Sequence, residues 1–450
     1  MRPVRETPTG EGHSNHSPEL SNIMAMLILS VFLGVLICGC AAYQNHCTAG
    51  LLRCLSDASP PANSGCSNEF STSSFQPQTV VVLCLRGADP QLVDCLTGLL
   101  RQDYEKWELR IVVDHANDPA FSVVEDLLAR ESHSNVTVRI LESRYQTCSL
   151  KLSALSQELA LLDDECEAVV LVDADVMTYP GWLRDMVAPL RDPNVGAATG
   201  LRWFQPPGHS EGASMRYLWN LAAIGQMHHS GIAWAGSLAM RTDFVKSAAL
   251  SDEWSRMVFE DTSLLNSLNK AGLRLSFVPN AIMVNTEAIG CAQLVRFVQR
   301  QLLNARLYHP DWKTIFNHGI LSTIGTAGGL LAMPLALMSL NWAAAGILAT
   351  AGAIAIGFSA YFAIRLDLSI RRILEARNGQ QEKSALLRSS TRLIFVQALY
   401  CVALLSARRQ RTVDWRGIQY DIDSTDGTCR IQMREYRPIE LALDPASSIV

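Results

Sequence analysis

The chain is poor in charge. Only 18% of its 450 residues are Asp, Glu, Lys or Arg, against roughly a quarter in soluble domains, and 48% are hydrophobic. That balance excludes a disordered protein, and the lack of a G-X-Y period excludes a fibrous one. With a formal net charge of −5 the chain has no basic footprint for nucleic acid. Glycine-rich phosphate loops are missing as well. Neither G-x-G-x-x-G nor G-x-x-x-x-G-K-[ST] occurs, so dinucleotide oxidoreductases and P-loop NTPases lose their main signature. The 12 cysteines contain no C-x-x-C pair, which leaves zinc sites and disulfide frameworks without their usual spacing.

The missing charge is localised. Ile23 to Tyr43 holds 21 residues with none, and Gly319 to Ile364 holds 46. At about 1.5 Å per helical residue the first run matches a hydrocarbon layer of ~30 Å, and the second suffices for two crossings with a turn near Asn341 and Trp342. A third run, Leu393–Ala407, has 15 residues and is too short to span comfortably, so it reads as interfacial or re-entrant. Arg2 and Arg5 before the first run allow a signal peptide, and Ile37-Cys38-Gly39-Cys40 faintly allows a lipoprotein signal. Residues 1–22, with Glu6, Glu11 and Glu19, precede the run and no A-x-A-like site follows, which favours a retained anchor. Ten Lys/Arg lie between Arg365 and Arg411, and the positive-inside rule places that stretch, and with it the polar domain, in the cytoplasm. The expected organisation is a tail (1–22), an anchor (23–43), a linker (44–78) whose Cys47, Cys54 and Cys66 could be exposed, and a catalytic domain (79–290). An interfacial helix region (291–317), a membrane hairpin (318–364), a basic segment (365–411) and a tail (412–450) complete it.

Between Thr79 and about Ala288, short β-branched runs alternate with helical stretches. Strands are expected at Thr79–Leu85, Leu109–Asp114, Val136–Leu141 and Ala168–Asp173, with helices at Pro90–Arg101, Ala120–Arg130 and Ser149–Leu162. Strand–helix–strand order implies right-handed crossovers and a mostly parallel sheet, an α/β fold. Ligands of such sheets bind beyond the carboxyl ends of the strands, where Asp114 and Asp173 fall. Asp173-Ala174-Asp175 follows an apolar strand. Two carboxylates on one turn can share a divalent cation, Mg²⁺ or Mn²⁺, which in turn neutralises a diphosphate.

At this point the chain resembles a glycosyltransferase of family 2, with its GT-A nucleotide-sugar-binding fold, and is most similar to the ceramide glucosyltransferase-type membrane enzymes. Asp118-Pro119-Ala120 resembles the family's nucleotide-holding D-P-[AT], and Lys151 the lysine of G-x-K-x-x-x-L. Asp173 resembles the first acid of D-x-[DG], and Gly200-Leu201 the strand that follows. Gly236-Ser237 with Met240-Arg241 resembles T-G-x-S-x-x-x-R, and Glu260-Asp261 the E-D whose aspartate is the general base. Trp415-Arg416-Gly417 with Tyr420 resembles the tail's W-R-G-x-x-Y. The resemblance implies a UDP-glucose or UDP-GlcNAc donor, a lipid hydroxyl acceptor drawn from the membrane, and a bound divalent metal. Asp114, Asp118, Lys151, Asp173 and Gly236 would then bind the donor and Asp175 would join Asp173 on the metal. Arg300 would meet the diphosphate, and Glu260 would orient Asp261.

One motif is incomplete. The family's [QR]-x-x-R-W ends in tryptophan, whereas here Arg300 is followed by Gln301. Blander readings also stand. Asp261 could merely cap a helix over Thr262–Ala271. His228-His229 point apart and lack a third ligand, and Trp203, Trp219 and Trp234 read as packing more than as a sugar platform. Leu294, Phe297, Val298, Leu302 and Leu307 lie on one side of a helix flanked by Arg296, Arg300 and Arg306, the make-up of a helix lying in the headgroup layer. A polysaccharide-elongating relative and an inactive scaffold remain the alternative functions.

Overall fold

The computed structural model describes residues 18–56, 75–130, 133–208, 210–380, 383–423 and 430–436. Arg2, Arg5, Cys66, most of the expected linker and the end of the tail lie outside the described residues. In chain order the elements of the first half are α1 (Pro18–Ser56), β1 (Thr79–Leu85), α2 (Leu92–Leu100), β2 (Trp107–Val113), α3 (Pro119–Leu128), β3 (Val136–Ile140), α4 (Leu150–Ala160), β4 (Ala168–Val172), α5 (Trp182–Val187), β5 (Val195–Phe204) and α6 (Glu211–Ser230). There follow β6 (Ser237–Arg241), α7 (Thr242–Ser247), α8 (Leu250–Trp254), α9 (Leu264–Lys270), β7 (Arg274–Asn285), α10 (Cys291–Tyr308), α11 (Trp312–Met338), α12 (Trp342–Asn378), α13 (Leu386–Ser390), α14 (Leu393–Arg409), β8 (Thr412–Trp415), β9 (Ile418–Asp423) and β10 (Arg430–Glu435).

Two compact units result. Residues 44–319 and 360–450 form the larger one, and residues 1–43 and 320–359 the smaller. The larger unit is built on a seven-stranded sheet of order β3-β2-β1-β4-β6-β5-β7, in which β6 alone runs against its neighbours. This is the mostly parallel sheet expected from the strand–helix–strand order. Its central strands are apolar on both faces because helices cover both. Val81, Leu83, Val170 and Val172 pack under α2, α3 and α5, and Val80, Val82, Val169 and Leu171 under α4, α8 and α9. Each such side chain contributes roughly 1.5–3 kcal/mol on burial. With β1, β2 and β4 parallel and adjacent, their carboxyl ends share one edge.

Three helices, α1, α11 and α12, are long and apolar enough to cross a membrane. In the smaller unit Leu33, Ala332 and Leu348 pack together, while Leu331, Val35 and Ile356 are largely exposed, as lipid-facing residues would be.

Two expectations are corrected. The stretch after Tyr43 is not linker as far as Ser56, because α1 continues through it, and Leu51 and Leu55 bury against Leu201, Trp203 and Tyr217 of the larger unit. Cys47 is accordingly buried, and Cys54 is half-buried. The apolar side of α10 does not face headgroups. Leu294, Phe297, Val298 and Leu302 are buried inside the domain, and Phe297 meets Phe204 and Trp219 edge to face. An amphipathic stripe satisfies a protein core as readily as a bilayer surface, and here the core takes it. The short run at Leu393–Ala407 forms α14, which buries Ala403, Leu404 and Ala407 and exposes Leu393, Ile394 and Phe395.

Candidate active site

The edge where β1, β2 and β4 end opens into one cleft. Its lining includes Asp114, Lys151, Asp173, Asp175, Glu260, Asp261 and Arg300, so residues far apart in the chain converge. Asp118 does not line it. Both its carboxylate oxygens accept the Gly87 N–H, at 2.9 and 3.1 Å, and Oδ1 also caps α3 through Ala120 N–H. Asp118 therefore shapes the turn after β1, where Gly87 has φ of +74°.

Asp114 is 2% exposed, and its charge is met on every side. Arg86 and Tyr436 Oη donate to Oδ2, and Arg144 Nε donates to Oδ1 at 3.1 Å. The Tyr436 ring stacks against both guanidiniums. Asp114, His115 and Asp118 bring potential ligand atoms within 4.8 Å of one another, but the two arginines already balance this cluster without a cation.

Ser149 caps α4, its Oγ accepting from Leu152 N–H, and so sets Lys151 in the first turn above the end of β4. Lys151 Nζ lies 2.7 Å from Asp173 Oδ1 and 2.6 Å from Glu260 Oε1. Burial alone would lower the lysine's pKa; the two carboxylates outweigh it and hold the ammonium charged. Burial raises Asp173, but Lys151 and Arg202 overcome this and hold it below the usual carboxylate range. Glu260, 3% exposed, is pushed up by burial, with Asp261 adding to the push against Lys151. Burial pushes Asp175 up as well; Arg202 opposes this, and the like charges of Asp173 and Asp89 add to it. Asn285 Nδ2 donates to Asp175 Oδ2 at 3.1 Å and accepts from Arg216 through Oδ1.

Gly236 lets the chain pass beside this carboxylate pair. A Cβ there would lie 2.2 Å from the Trp234 ring and 2.7 Å from Asp173 Oδ2. Trp234 also lines the cleft, with Arg202 4.7 Å above its ring, so it is more than a packing residue, whereas Trp203 packs on Tyr217. The rings of His228 and His229 lie instead against Phe277 and His46.

Asp261 does not cap the next helix: α9 begins at Leu264, with Ser263 at the cap position. Asp261 Oδ1 accepts from Thr262 N–H at 2.8 Å, from Thr262 Oγ1 at 3.3 Å and from Asn304 Nδ2 at 2.6 Å; among the described residues Oδ2 accepts nothing. Asn304 lies one helical turn after Arg300 on the same face of α10. Arg300 has no carboxylate partner among the described residues, and burial, then Arg202 and Arg416, lower its pKa to about 10.

Sequence reading passed over several lining residues. Asn304 could have been found from its i+4 spacing to Arg300. Arg202 stands two residues after Gly200. Trp415 and Arg416 were visible as a motif, but nothing local says that the tail returns to the cleft. Arg86 and Asp89, in the turn after β1, carried no motif.

A family model, glycosyl transferase family 21, matches residues 47–427. The chain is 26% identical over 133 residues to a ceramide glucosyltransferase of Gibberella zeae, covering 27% of this chain and 24% of that protein. It is 41% identical over 69 residues to a ceramide glucosyltransferase of Komagataella phaffii, covering 15% of this chain and 13% of that one. The matches thus span about a quarter or less of these relatives' length. Among solved structures, a mannosyltransferase from Pyrobaculum calidifontis in complex with GDP-Man and Mn²⁺ superposes with a TM-score of 0.49 at 17% identity, over 78% of this chain and 99% of that one.

Proposed function

This chain belongs to glycosyl transferase family 21 and is a glycosyltransferase, and we propose that it moves glucose or N-acetylglucosamine from a UDP-sugar to the hydroxyl of a membrane lipid such as ceramide. The arrangement at Asp261 carries the reading. One carboxylate oxygen is held by three donors, and among the described residues the other accepts nothing, in a cleft rich in guanidinium groups.

In this reading Asp261 Oδ2 takes the proton of the acceptor hydroxyl as that oxygen attacks the anomeric carbon. Asn304 and the Thr262 N–H hold the carboxylate in place, and Glu260 acts through Lys151, which it anchors beside Asp173. A single displacement inverts configuration, so an α-linked donor yields a β-glycoside. Arg300 and Lys151 oppose the negative charge that grows on the departing nucleoside diphosphate. Asp114 and Asp118 organise the nucleoside end, Asp114 directly and Asp118 through the Gly87 turn, and Gly236 keeps room beside Asp173. Two carboxylates on one turn after β4, both lining the cleft, suit a divalent cation. Asp175 and Asp173 would hold Mg²⁺ or Mn²⁺, which would neutralise part of the diphosphate charge. The apolar helices and the ten Lys/Arg of residues 365–411 support a membrane protein with this domain on the cytoplasmic side.

The test uses purified protein in detergent with labelled UDP-glucose or UDP-GlcNAc, offered ceramide or diacylglycerol. Labelled lipid is expected, with turnover falling about 100- to 10,000-fold in Asp261→Asn. Unchanged turnover in that variant would remove Asp261 from the chemistry, and nucleotide-sugar binding with no turnover of either donor would leave a scaffold.

A further inference from the structure

Strands β10, β9 and β8 form a second, antiparallel sheet, and its β8–β9 turn lines the cleft. Trp415 pairs with Ile418 across a two-residue loop, Arg416-Gly417, whose φ values are +52° and +74°. Two successive residues at positive φ define the hairpin turn that prefers Asn-Gly, Asp-Gly or Gly-Gly, because a side chain at the first position is strained there. Arginine is a poor choice for folding this turn, so some other property of Arg416 must recommend it.

The turn is firmly seated. Ile418, Tyr420, Ile422, Ile431 and Met433 pack against Val112, Leu150 and Phe259 of the main domain. The Leu150 N–H donates to Tyr420 Oη at 3.1 Å, one residue before Lys151. At the tip, Arg86 Nε donates to the Arg416 carbonyl at 3.0 Å, and Arg416 Nη2 lies 3.2 Å from Asp89 Oδ2. Five guanidiniums line this cleft: Arg86 and Arg216 are paired with Asp114 and Glu287, while Arg202, Arg300 and Arg416 stand with Asp173 and Asp175, Arg202 at 3.8 Å from Asp173. Burial weakens proton binding at Arg300, and Arg202 and Arg416 weaken it further. Cations gathered at such cost in a buried cleft suit a polyvalent anion with several acceptor oxygens.

We propose that Arg416, at the tip of the tail hairpin, is a diphosphate-binding residue of the donor site, closing with Arg202 and Arg300 around the phosphates of the bound nucleoside diphosphate. The proposal rests on the nucleotide-sugar reading above and adds the tail to the donor-binding machinery.

The experiment measures binding of UDP and of uridine by calorimetry to the full chain in detergent. Arg416→Asn suits the turn better than the natural residue, so its melting temperature should equal or exceed that of the parent. UDP should bind it about tenfold more weakly or worse, while uridine binds unchanged. Arg416→Lys, which keeps the charge but not the fork, should fall between the two. Asp89→Asn separates anchoring from binding, because it removes the acid partner of Arg416 and should leave UDP affinity equal or higher. Equal UDP affinity in Arg416→Asn and the parent would overturn the proposal. So would equal losses of UDP affinity in Arg416→Asn and Asp89→Asn, or a parallel loss of uridine. A parent chain that binds neither UDP nor uridine would bring down the nucleotide-sugar reading itself, and the proposal with it.

Discussion

Gly236 shows how little room the cleft leaves. Its missing side chain is what lets the backbone lie against both the Trp234 ring and Asp173. Neither neighbour can yield cheaply, since Trp234 is buried beneath Arg202 and Asp173 is tied to Lys151. Gly236→Ala should therefore lose about 1–3 kcal/mol of stability through overpacking. It should also lose at least about tenfold in kcat/KM, as a displaced carboxylate costs transition-state stabilisation. Thermal melts beside initial rates check both, and an alanine variant with parental rates would show that Asp173 can shift freely. The same scale explains what was legible in single residues. Asp173 and Asp261 stand next to patterns that announce them, a strand end and an acidic pair, whereas Lys151 was marked only by the family resemblance. Asn304 and Arg202 act only through partners on distant segments, so no local pattern marks them.

At the scale of elements, the four early strands were readable because buried parallel strands are continuous apolar runs. Observed ends differ from expected ones by a residue or two, as at β2, Trp107–Val113. What composition could not separate was an apolar helix facing lipid from one facing protein, which is why α10 was misplaced; the last third of α1, residues 44–56, was expected as linker because its burial comes from contacts with distant segments. The junction of α10 and α11 carries a pH dependence of its own. His309 is buried, its Nδ1 accepts the Asp311 N–H at 3.1 Å, and Nε2 lies 3.1 Å from the Ser230 carbonyl, an arrangement that suits the neutral ring. Burial holds its pKa below the ordinary 6.5. The unfolded chain therefore takes up the proton first as pH falls, and stability declines from about pH 6.5 downward toward the lower native value. His228 is shifted the same way by burial. Melting temperatures measured from about pH 7 to pH 5 should fall, and fall less in His309→Asn, whose Oδ1 can still accept from Asp311. An identical slope in the variant would place the dependence elsewhere.

For the whole molecule, the decisive features were the runs without charge, which separate apolar helices from a polar domain before any fold is considered. The proposed side of the bilayer for that domain rests on the ten Lys/Arg of residues 365–411, in the last turns of α12 and beyond it. Cys291, exposed at the start of α10, is a natural reporter of it. In sealed right-side-out vesicles an impermeant maleimide should leave Cys291 unmodified until the bilayer is opened, as read by peptide mass spectrometry at that residue. Modification in intact vesicles would place the domain outside and away from cytoplasmic nucleotide sugars.

The hairpin of β8 and β9 lies beyond all three membrane-crossing candidates in chain order, yet it lines the same cleft as residues that follow β1. Translation therefore completes this cleft late. A chain halted after Arg409 would already contain the apolar helices, the parallel sheet and Asp261, and would still lack Trp415, Arg416 and the hydroxyl of Tyr420 that receives the Leu150 N–H. On the reading proposed above, truncation after Arg409 should keep the apolar helices while abolishing turnover of the nucleotide sugar.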